Sequence, residues 1–109
     1  MDFNTYQKKA RTTAVYPNIG TNLWYPALGL AGEAGEVAEK VKKIYRDDAG
    51  VVTLAKILEI CKELGDALWY ISNVASELNL DLDEVARLNL EKLAQRAVGN
   101  KLHGSGDER

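Results

Sequence analysis

The sequence has few of the residues that bind soft metals or form covalent intermediates. Among its 109 residues there is one cysteine, Cys61, and one histidine, His103, which lies in the glycine-rich end of the chain. A single cysteine cannot form an internal disulfide, and one cysteine with one histidine does not make a zinc site. No Ser/His or Cys/His pair is available for nucleophilic catalysis. Any catalysis therefore has to rely on other groups.

An excess of positive charge and long apolar runs are also absent. The net charge is −2, which gives no electrostatic footprint for a nucleic acid polymer. No apolar run approaches the roughly 20 residues that cross a bilayer. The first ten residues, MDFNTYQKKA, lack the apolar core of a signal peptide. We therefore expect a cytoplasmic protein with neither a nucleic acid polymer nor a membrane as its partner.

Strand patterns are scarce and short, GVVTL being an example, whereas apolar residues recur at three- and four-residue spacing over long windows. The pattern predicts an all-α domain of the four-helix bundle type, formed by residues 1–109 as a single domain. Asp81 and Glu84 have the spacing of a capping box. We expect an irregular tail from about residue 99. The four helices are expected at about 2–14, 26–47, 51–79 and 81–98.

The second predicted helix contains the unusual stretch LGLAGEAGEVAEKVKK, residues 28–43. It has three glycines within seven residues, and each glycine costs a helix roughly 1 kcal/mol relative to alanine. It also repeats glutamate every three residues. Gly29 and Gly32 fall on or near the face of Glu33 and Glu36, where a missing side chain leaves room for a metal and a ligand.

Two helices repeat one arrangement of carboxylates beside an apolar arc. Glu33 lies at the edge of the arc of the second helix, with Glu36 about 60° beyond it at 100° per residue. Glu63 and Asp66 stand in the same relation to the arc of the third helix. If the two arcs pack against each other in antiparallel fashion, the carboxylate edges meet. The arcs consist of Leu30, Ala34, Val37, Ala38, Val41 and Ile44, and of Ile57, Ile60, Leu64, Ala67, Leu68, Ile71, Ala75 and Leu78.

Four carboxylates in one place repel each other. Two unit charges 5 Å apart cost roughly 3 kcal/mol at an effective dielectric constant of 20, and a cation removes that cost. Oxygen ligands without histidine or cysteine favour Mg²⁺ or Mn²⁺. The alternative is a solvated helix face on which Lys40 and Lys43 pair with Glu36 and Glu39. That alternative accounts for the carboxylates but not for the glycines.

The segments GLAGEAGEVAEKVKK and KELGDALWYISNVASELNLDLDEVARLNLEKLAQR resemble the MazG-type nucleoside triphosphate pyrophosphohydrolases. The family's mark is E-x-x-E on one helix and E-x-x-D on the next, and here 26 residues separate the two pairs. The end of the chain, KLHGSGDER, also resembles the close of short, single-domain members. The resemblance covers about residues 22–109. Many members begin the first motif with two adjacent glutamates, whereas this chain has Gly32 at that place.

The resemblance implies an activity and a metal. Family members cleave nucleoside triphosphates between the α and β phosphates, with water as the expected nucleophile, activated by metal and attacking the α-phosphorus. By resemblance, Glu33, Glu36, Glu63 and Asp66 bind Mg²⁺, for which Mn²⁺ can substitute. One glutamate, Glu36 or Glu33, is expected to act as the base. With Gly32 at the position of the second adjacent glutamate, this chain has no carboxylate there.

Substrate contacts are expected from three further parts of the chain. Lys92 and Arg96 on the fourth helix are expected to bind the β and γ phosphates, with Asn89 on the same face. Asn73 matches an asparagine common in the family and is expected to touch substrate or a metal-bound water. Tyr70, which lies between Asp66 and Asn73 on the third predicted helix, is also expected to contact the substrate. For Trp24 we leave open stacking on a base or filling a loop junction. Further residues get structural roles: Cys61 is expected in the core, and Trp69 with Leu58 at a subunit interface.

The family generally works as dimers or dimers of dimers, so a homodimer or tetramer is expected. The function that the sequence favours is cleaning or reshaping of a nucleotide pool. The alternatives are a non-catalytic helical module that binds a nucleotide or a protein, and a purely structural bundle.

Overall fold

The computed structural model describes residues 1–99, and these form an all-α structure, as predicted. No strand occurs in this part of the chain, and Val51–Val52 of the GVVTL segment is irregular. The expected tail, including His103, lies outside the described residues apart from Gly99, which ends the last helix. The helices are α1 (Phe3–Thr12), α2 (Trp24–Asp47), α3 (Leu54–Glu77) and α4 (Leu82–Val98).

Polar side chains fix the starts of the first three helices. The Asp2 carboxylate accepts a hydrogen bond from the Thr5 amide in α1 (2.7 Å), and the Thr53 hydroxyl accepts one from the Lys56 amide in α3. In α2 the Asn22 side chain accepts from the Tyr25 amide (3.1 Å). This bond starts α2 two residues before the predicted boundary at Pro26. Pro26 is tolerated there because the first-turn amides have no intrahelical acceptor.

The predicted capping box at the start of α4 is wrong. The Asp81 side chain makes no capping hydrogen bond, and Glu84 pairs with Arg87 instead. The first amides of α4 are satisfied from α1. Gln7 Oε1 accepts from the Leu82 amide (2.8 Å), and Asn4 Oδ1 accepts from the Asp83 amide (3.1 Å). Partners far away in sequence therefore replace the local motif.

The dominant packing is between α2 and α3, which form an antiparallel pair joined by a short loop. Helix α1 packs on α3, and α4 has its main contact with α1. The antiparallel pair brings the two carboxylate motifs to the same place, as the sequence predicts. Within residues 1–99, no helix has the length and hydropathy needed to cross a membrane.

Much of the predicted apolar surface is not covered within one chain. Ile44 and Ala75 are buried, whereas Leu64 is 54% exposed. Cys61 is exposed, which corrects its placement in the core. Trp69 does not lie on a free stripe: its indole N–H donates to Thr13 Oγ1 (2.7 Å), so it joins α3 to the end of α1. Other exposed members of the predicted arcs are Val41, Ile57, Ile71 and Leu78.

Candidate active site

Three carboxylates from the paired helices converge at the middle of the α2–α3 contact. One carboxylate oxygen from each of Glu33, Glu63 and Asp66 lies within 4.8 Å of the other two. Glu33 comes from α2, and the other two lie one turn apart on one face of α3. We call these three residues the carboxylate cluster. Oxygen ligands at this spacing suit a hard divalent cation such as Mg²⁺.

The electrostatics of the carboxylate cluster indicate that it needs a positive charge. Partial burial raises the pKa of Glu33 above its usual value, and a hydrogen bond with Glu63 raises it further. The negative charges of Asp66, Glu63 and Glu36 act in the same direction. The cluster can relieve this repulsion either by holding a proton or by binding a cation. The chemistry of the donor set therefore fits Mg²⁺ or Mn²⁺.

Glu36 was predicted as a fourth ligand, and the structure places it differently from the other three. It is exposed and lies outside the carboxylate cluster, although its charge acts on Glu33. Glu39, one turn further along α2, forms ion pairs with Lys42 (2.8 Å) and Lys43 (3.7 Å). Glu39 is therefore part of the solvated face.

The glycines of α2 divide into two kinds. A Cβ atom at Gly32 or Gly35 would meet nothing within 4 Å, so these positions border open space. A Cβ atom at Gly29 would overlap the ring of Tyr70. The expectation that Gly29 makes room for a metal is therefore corrected, because the space beside it is filled by Tyr70.

A second carboxylate, Glu77, organises the loop between α1 and α2, and the sequence analysis missed it. Its side chain is 1% exposed and forms an ion pair with Arg11 (2.6 Å). It also accepts hydrogen bonds from the Tyr16 hydroxyl (2.6 Å) and from the backbone amides of Gly20 (2.9 Å) and Asn22 (2.8 Å). Gly20 has φ 93°, a conformation that favours glycine. The loop is thus tied to the last turn of α3.

The balance of these contacts keeps Glu77 ionised. Burial alone raises its pKa, but the hydrogen bonds from Tyr16, Arg11 and the two backbone amides outweigh burial and hold the pKa at about 2. A glutamate in the last turn of a helix is unfavourable for the helix dipole. This unfavourable position is the feature of the sequence that could have indicated that Glu77 has a stabilising partner elsewhere in the chain.

Asn73 was expected to touch substrate, but the structure gives its side chain another partner. It is fully buried; its Oδ1 accepts from Arg11 Nη1 (2.9 Å), and its Nδ2 donates to the Trp69 carbonyl (3.0 Å). With no exposed surface, Asn73 holds Arg11 in place and is not positioned to contact a substrate.

The other expected substrate contacts lie at separate places. Trp24 is the first residue of α2 and is 67% exposed. On α4, Lys92 is half-buried, Arg96 is buried, and exposed Asn89 lines a cavity of about 240 Å³ with residues of α1 and α3. The main contact of α4 is with α1, and not with the two helices that hold the carboxylate cluster.

Tyr6 on α1 is close enough to the carboxylate cluster for the charge of Asp66 to raise its pKa, in addition to the larger effect of burial. It also lines a cavity of about 300 Å³ with Phe3, Leu68 and Asp83, among others. An apolar cavity with carboxylates at its edge therefore opens near the candidate metal ligands. Sequence alone gave no strong reason to place Tyr6 here.

Comparison with known proteins agrees with this architecture. Residues 26–98 match the model of the MazG nucleotide pyrophosphohydrolase domain. A protein described as "Gene 37 protein" from Mycobacterium phage L5 is 43% identical, in an alignment that covers 100% of both chains. No solved structure matches the chain. The match extends over more than half of the sequence and includes both carboxylate motifs, so the chain belongs to the MazG nucleotide pyrophosphohydrolase family.

Proposed function

We propose that this chain is a metal-dependent nucleoside triphosphate pyrophosphohydrolase that converts a (d)NTP and water into the (d)NMP and pyrophosphate. The observation that carries the proposal is the convergence of Glu33, Glu63 and Asp66 within 4.8 Å, on two of the three helices that the family match spans. Three carboxylates this close together repel one another electrostatically unless a cation balances their charge.

The metal in this proposal is Mg²⁺, with Mn²⁺ able to substitute. The carboxylate cluster would hold it, and Glu36 extends the negative surface by one turn of α2. When bound, the metal neutralises phosphate charge and makes a bound water more acidic. Glu36 lies outside the cluster, but its charge acts on Glu33; one of these two glutamates is the proposed base for the attacking water. Lys92 and Arg96 are proposed phosphate contacts, with Asn89 and Trp24 as further substrate contacts.

The role in the cell is proposed as cleaning or reshaping of a nucleotide pool in the cytoplasm. The chain would act as one MazG-like domain that assembles as a homodimer or tetramer. In support of assembly, a large apolar surface stays exposed in the single chain.

The direct test is pyrophosphate release from a panel of NTPs and dNTPs, with Mg²⁺, with Mn²⁺ and with EDTA. We expect metal-dependent release, lowered by at least about 100-fold in the Glu33→Gln, Glu63→Gln and Asp66→Asn variants, because each removes a ligand charge. Glu39→Gln is the matched control, since Glu39 pairs with lysines on the solvated face. Equal activity in the cluster variants and in the control would contradict the proposal.

The alternative is a helical module that binds a nucleotide or a protein without catalysis. It predicts metal-dependent nucleotide binding, or partner binding, without release of pyrophosphate from any substrate. A structural bundle predicts no effect of Mg²⁺ on the melting temperature. The convergence of three carboxylates favours the enzyme over the structural bundle, because an unoccupied cluster of this kind costs stability.

A further inference from the structure

The lysines in the second half of α2 differ in whether they have a partner. Lys42 and Lys43 both form ion pairs with Glu39, at 2.8 and 3.7 Å. Lys40 is half-buried, and within the described part of the chain its side chain forms neither an ion pair nor a hydrogen bond. The pairing of Lys40 with Glu36, which the alternative interpretation of the sequence expects, therefore does not form. The positive charge of Lys40 is available to a ligand.

Lys40 lies on the same edge of α2 as Glu33, the member of the carboxylate cluster that this helix contributes. It follows Glu33 by seven residues, which is about two turns with an offset of roughly 20° around the helix axis. Lys42 is displaced from Glu33 by about 180° and lies on the opposite side of the helix. Of the three lysines on α2, Lys40 is therefore the one aligned with the cluster.

The side chain of Lys40 can bridge much of the distance to the cluster. The rise over seven residues of a helix is about 10 Å. Side chains on a helix lean towards its N-terminus, which for Lys40 is the direction of Glu33. The flexible stem of a lysine carries the ammonium group roughly 6 Å from Cα. The group can therefore come within about 5 Å of the level of Glu33, outside the space of a metal among the carboxylates but beside it.

The direction in which a bound polyphosphate can extend along α2 follows from Gly29. One turn before Glu33, a Cβ atom at Gly29 would overlap the ring of Tyr70, so this side of the cluster is filled by protein. A chain of phosphates that starts at the cluster therefore has room along α2 only in the other direction, towards Lys40. Lys40 thus stands where the second or third phosphate of such a chain would lie.

We propose that Lys40 is a substrate-contacting residue whose ammonium group binds the β and γ phosphates of a nucleoside triphosphate held at the carboxylate cluster. This inference rests on the proposed function. In that reaction the oxygen of water bonds to the α-phosphorus, and the bond from this phosphorus to the oxygen bridging to the β phosphate breaks. The electron pair of the broken bond stays on the bridging oxygen, so the leaving pyrophosphate gains negative charge. A fixed ammonium group beside it stabilises that charge.

The first test uses Lys40→Gln, which removes the charge and keeps most of the stem. The probe is inorganic tripolyphosphate with Mg²⁺, titrated by calorimetry, because it carries the phosphates without a base. We expect binding at least about 10-fold weaker than in the unmodified protein, because a charge-assisted hydrogen bond is lost. Lys42→Gln is the matched control, since it changes the net charge equally on the opposite side of α2, where Lys42 is 58% exposed. Equal affinity in the two variants would overturn the proposal, as would failure of the unmodified protein to bind the probe.

The second test separates the charge of Lys40 from the packing of its stem. Lys40→Arg keeps the charge and should keep most of the affinity for tripolyphosphate, whereas Lys40→Met keeps an apolar stem and should bind as weakly as Lys40→Gln. If Lys40→Arg and Lys40→Met lose affinity equally, the position acts through packing and the proposal is wrong.

The third test addresses the direction of the phosphates. Lys62 lies on α3 one turn before Asp66 and is exposed, so it is the rival contact if the phosphates extend along α3 instead of α2. We expect Lys62→Gln to bind tripolyphosphate more tightly than Lys40→Gln does. Weaker binding in Lys62→Gln, with full affinity in Lys40→Gln, would overturn the proposal.

The outcomes separate this inference from the proposed function. Tripolyphosphate binding that depends on the charge of Lys40, without pyrophosphate release from any nucleotide, would support the contact and refute the enzyme. Pyrophosphate release with the same kcat, KM and probe affinity in Lys40→Gln would support the enzyme and refute the contact.

Discussion

At the scale of single residues, Glu77 and Glu33 show how the same side chain serves opposite purposes. Glu77 is surrounded by donors and has a pKa of about 2, whereas Glu33 is surrounded by carboxylates and has a raised pKa. The first arrangement stabilises the folded chain through its negative charge. The second costs stability until a cation arrives, and this is the expected trade between stability and function at a site.

Glu77 makes the free energy of unfolding depend on pH in the acidic range. Because its folded-state pKa lies below the usual 4.5, its contribution is present above pH 4.5 and is lost as pH falls towards about 2. The shift corresponds to about 3 kcal/mol. We expect Glu77→Gln to lower the free energy of unfolding at pH 7 by about that amount and to flatten the loss of stability between pH 4.5 and 2. Urea unfolding across this range measures both effects.

The control for Glu77 is Glu91→Gln. Glu91 pairs with Arg87 on the exposed face of α4 (2.9 Å), and such pairs contribute little. The control should leave the unfolding free energy within about 0.5 kcal/mol of the unmodified value. If the two variants lose similar stability, the buried network around Glu77 does not have the importance that its geometry indicates.

Removing the charge of Glu33 should have the opposite effect on the metal-free protein. In EDTA we expect Glu33→Gln to raise the melting temperature, because the repulsion within the carboxylate cluster falls. In Mg²⁺ the unmodified protein should gain stability and the variant should gain less. Thermal unfolding with EDTA and with MgCl₂ measures both changes, and Glu39→Gln is again the control. A lower melting temperature of Glu33→Gln in EDTA would contradict the account of the cluster.

At the scale of helices, α1 holds the start of α4 in place through Gln7. Its Oε1 accepts from the Leu82 amide, and its Nε2 donates to the Leu80 carbonyl (2.9 Å) and to Ser76 Oγ (3.1 Å). We expect Gln7→Ala to lower the unfolding free energy by about 1–2 kcal/mol. Hydrogen exchange should also become faster in the first turn of α4.

The comparison variant for α4 is Asp81→Ala, which removes the side chain that local sequence rules choose as the cap. Because Asp81 makes no capping hydrogen bond, its loss should change the unfolding free energy by no more than about 0.5 kcal/mol. A larger loss for Asp81→Ala than for Gln7→Ala would show that the local capping box forms after all.

These helices also show what sequence can predict. The apolar periodicity predicted four helices, and the repeated motif spacing on α2 and α3 predicted that four carboxylates meet, because both follow from the 3.6-residue turn. Glu33, Glu63 and Asp66 do meet, whereas Glu36 lies outside the cluster. The Glu77 network and the cap from Gln7 join residues 55 to 75 positions apart. No local sequence pattern encodes such pairs, so these contacts could not be predicted from the sequence. The same holds for the Tyr70 ring that occupies the space beside Gly29.

At the scale of the whole molecule, one chain buries too little of its apolar surface to be expected alone in solution. The N-terminal half of α3 leaves Leu54, Ile57 and Leu58 exposed by 50–71% on one side of the helix. Large exposed apolar patches mark interfaces. Of the two residues of the predicted interface stripe, Leu58 is exposed, whereas Trp69 forms a hydrogen bond within the chain, so an interface at Leu58 stays a prediction.

We therefore expect a homodimer or larger assembly by light scattering after size-exclusion chromatography, and we expect Leu58→Glu to shift it towards smaller species. The introduced charge would be buried without a partner at an interface, which is strongly unfavourable, whereas in a monomer it would be solvated. Val15→Glu is the control, because Val15 is an isolated loop residue that is 91% exposed. A monomeric unmodified protein would refute the assembly. An assembly that Leu58→Glu leaves unchanged would place the interface on a different surface from α3, and the exposed residues of α4, Leu88 and Leu90, would then be the next to substitute.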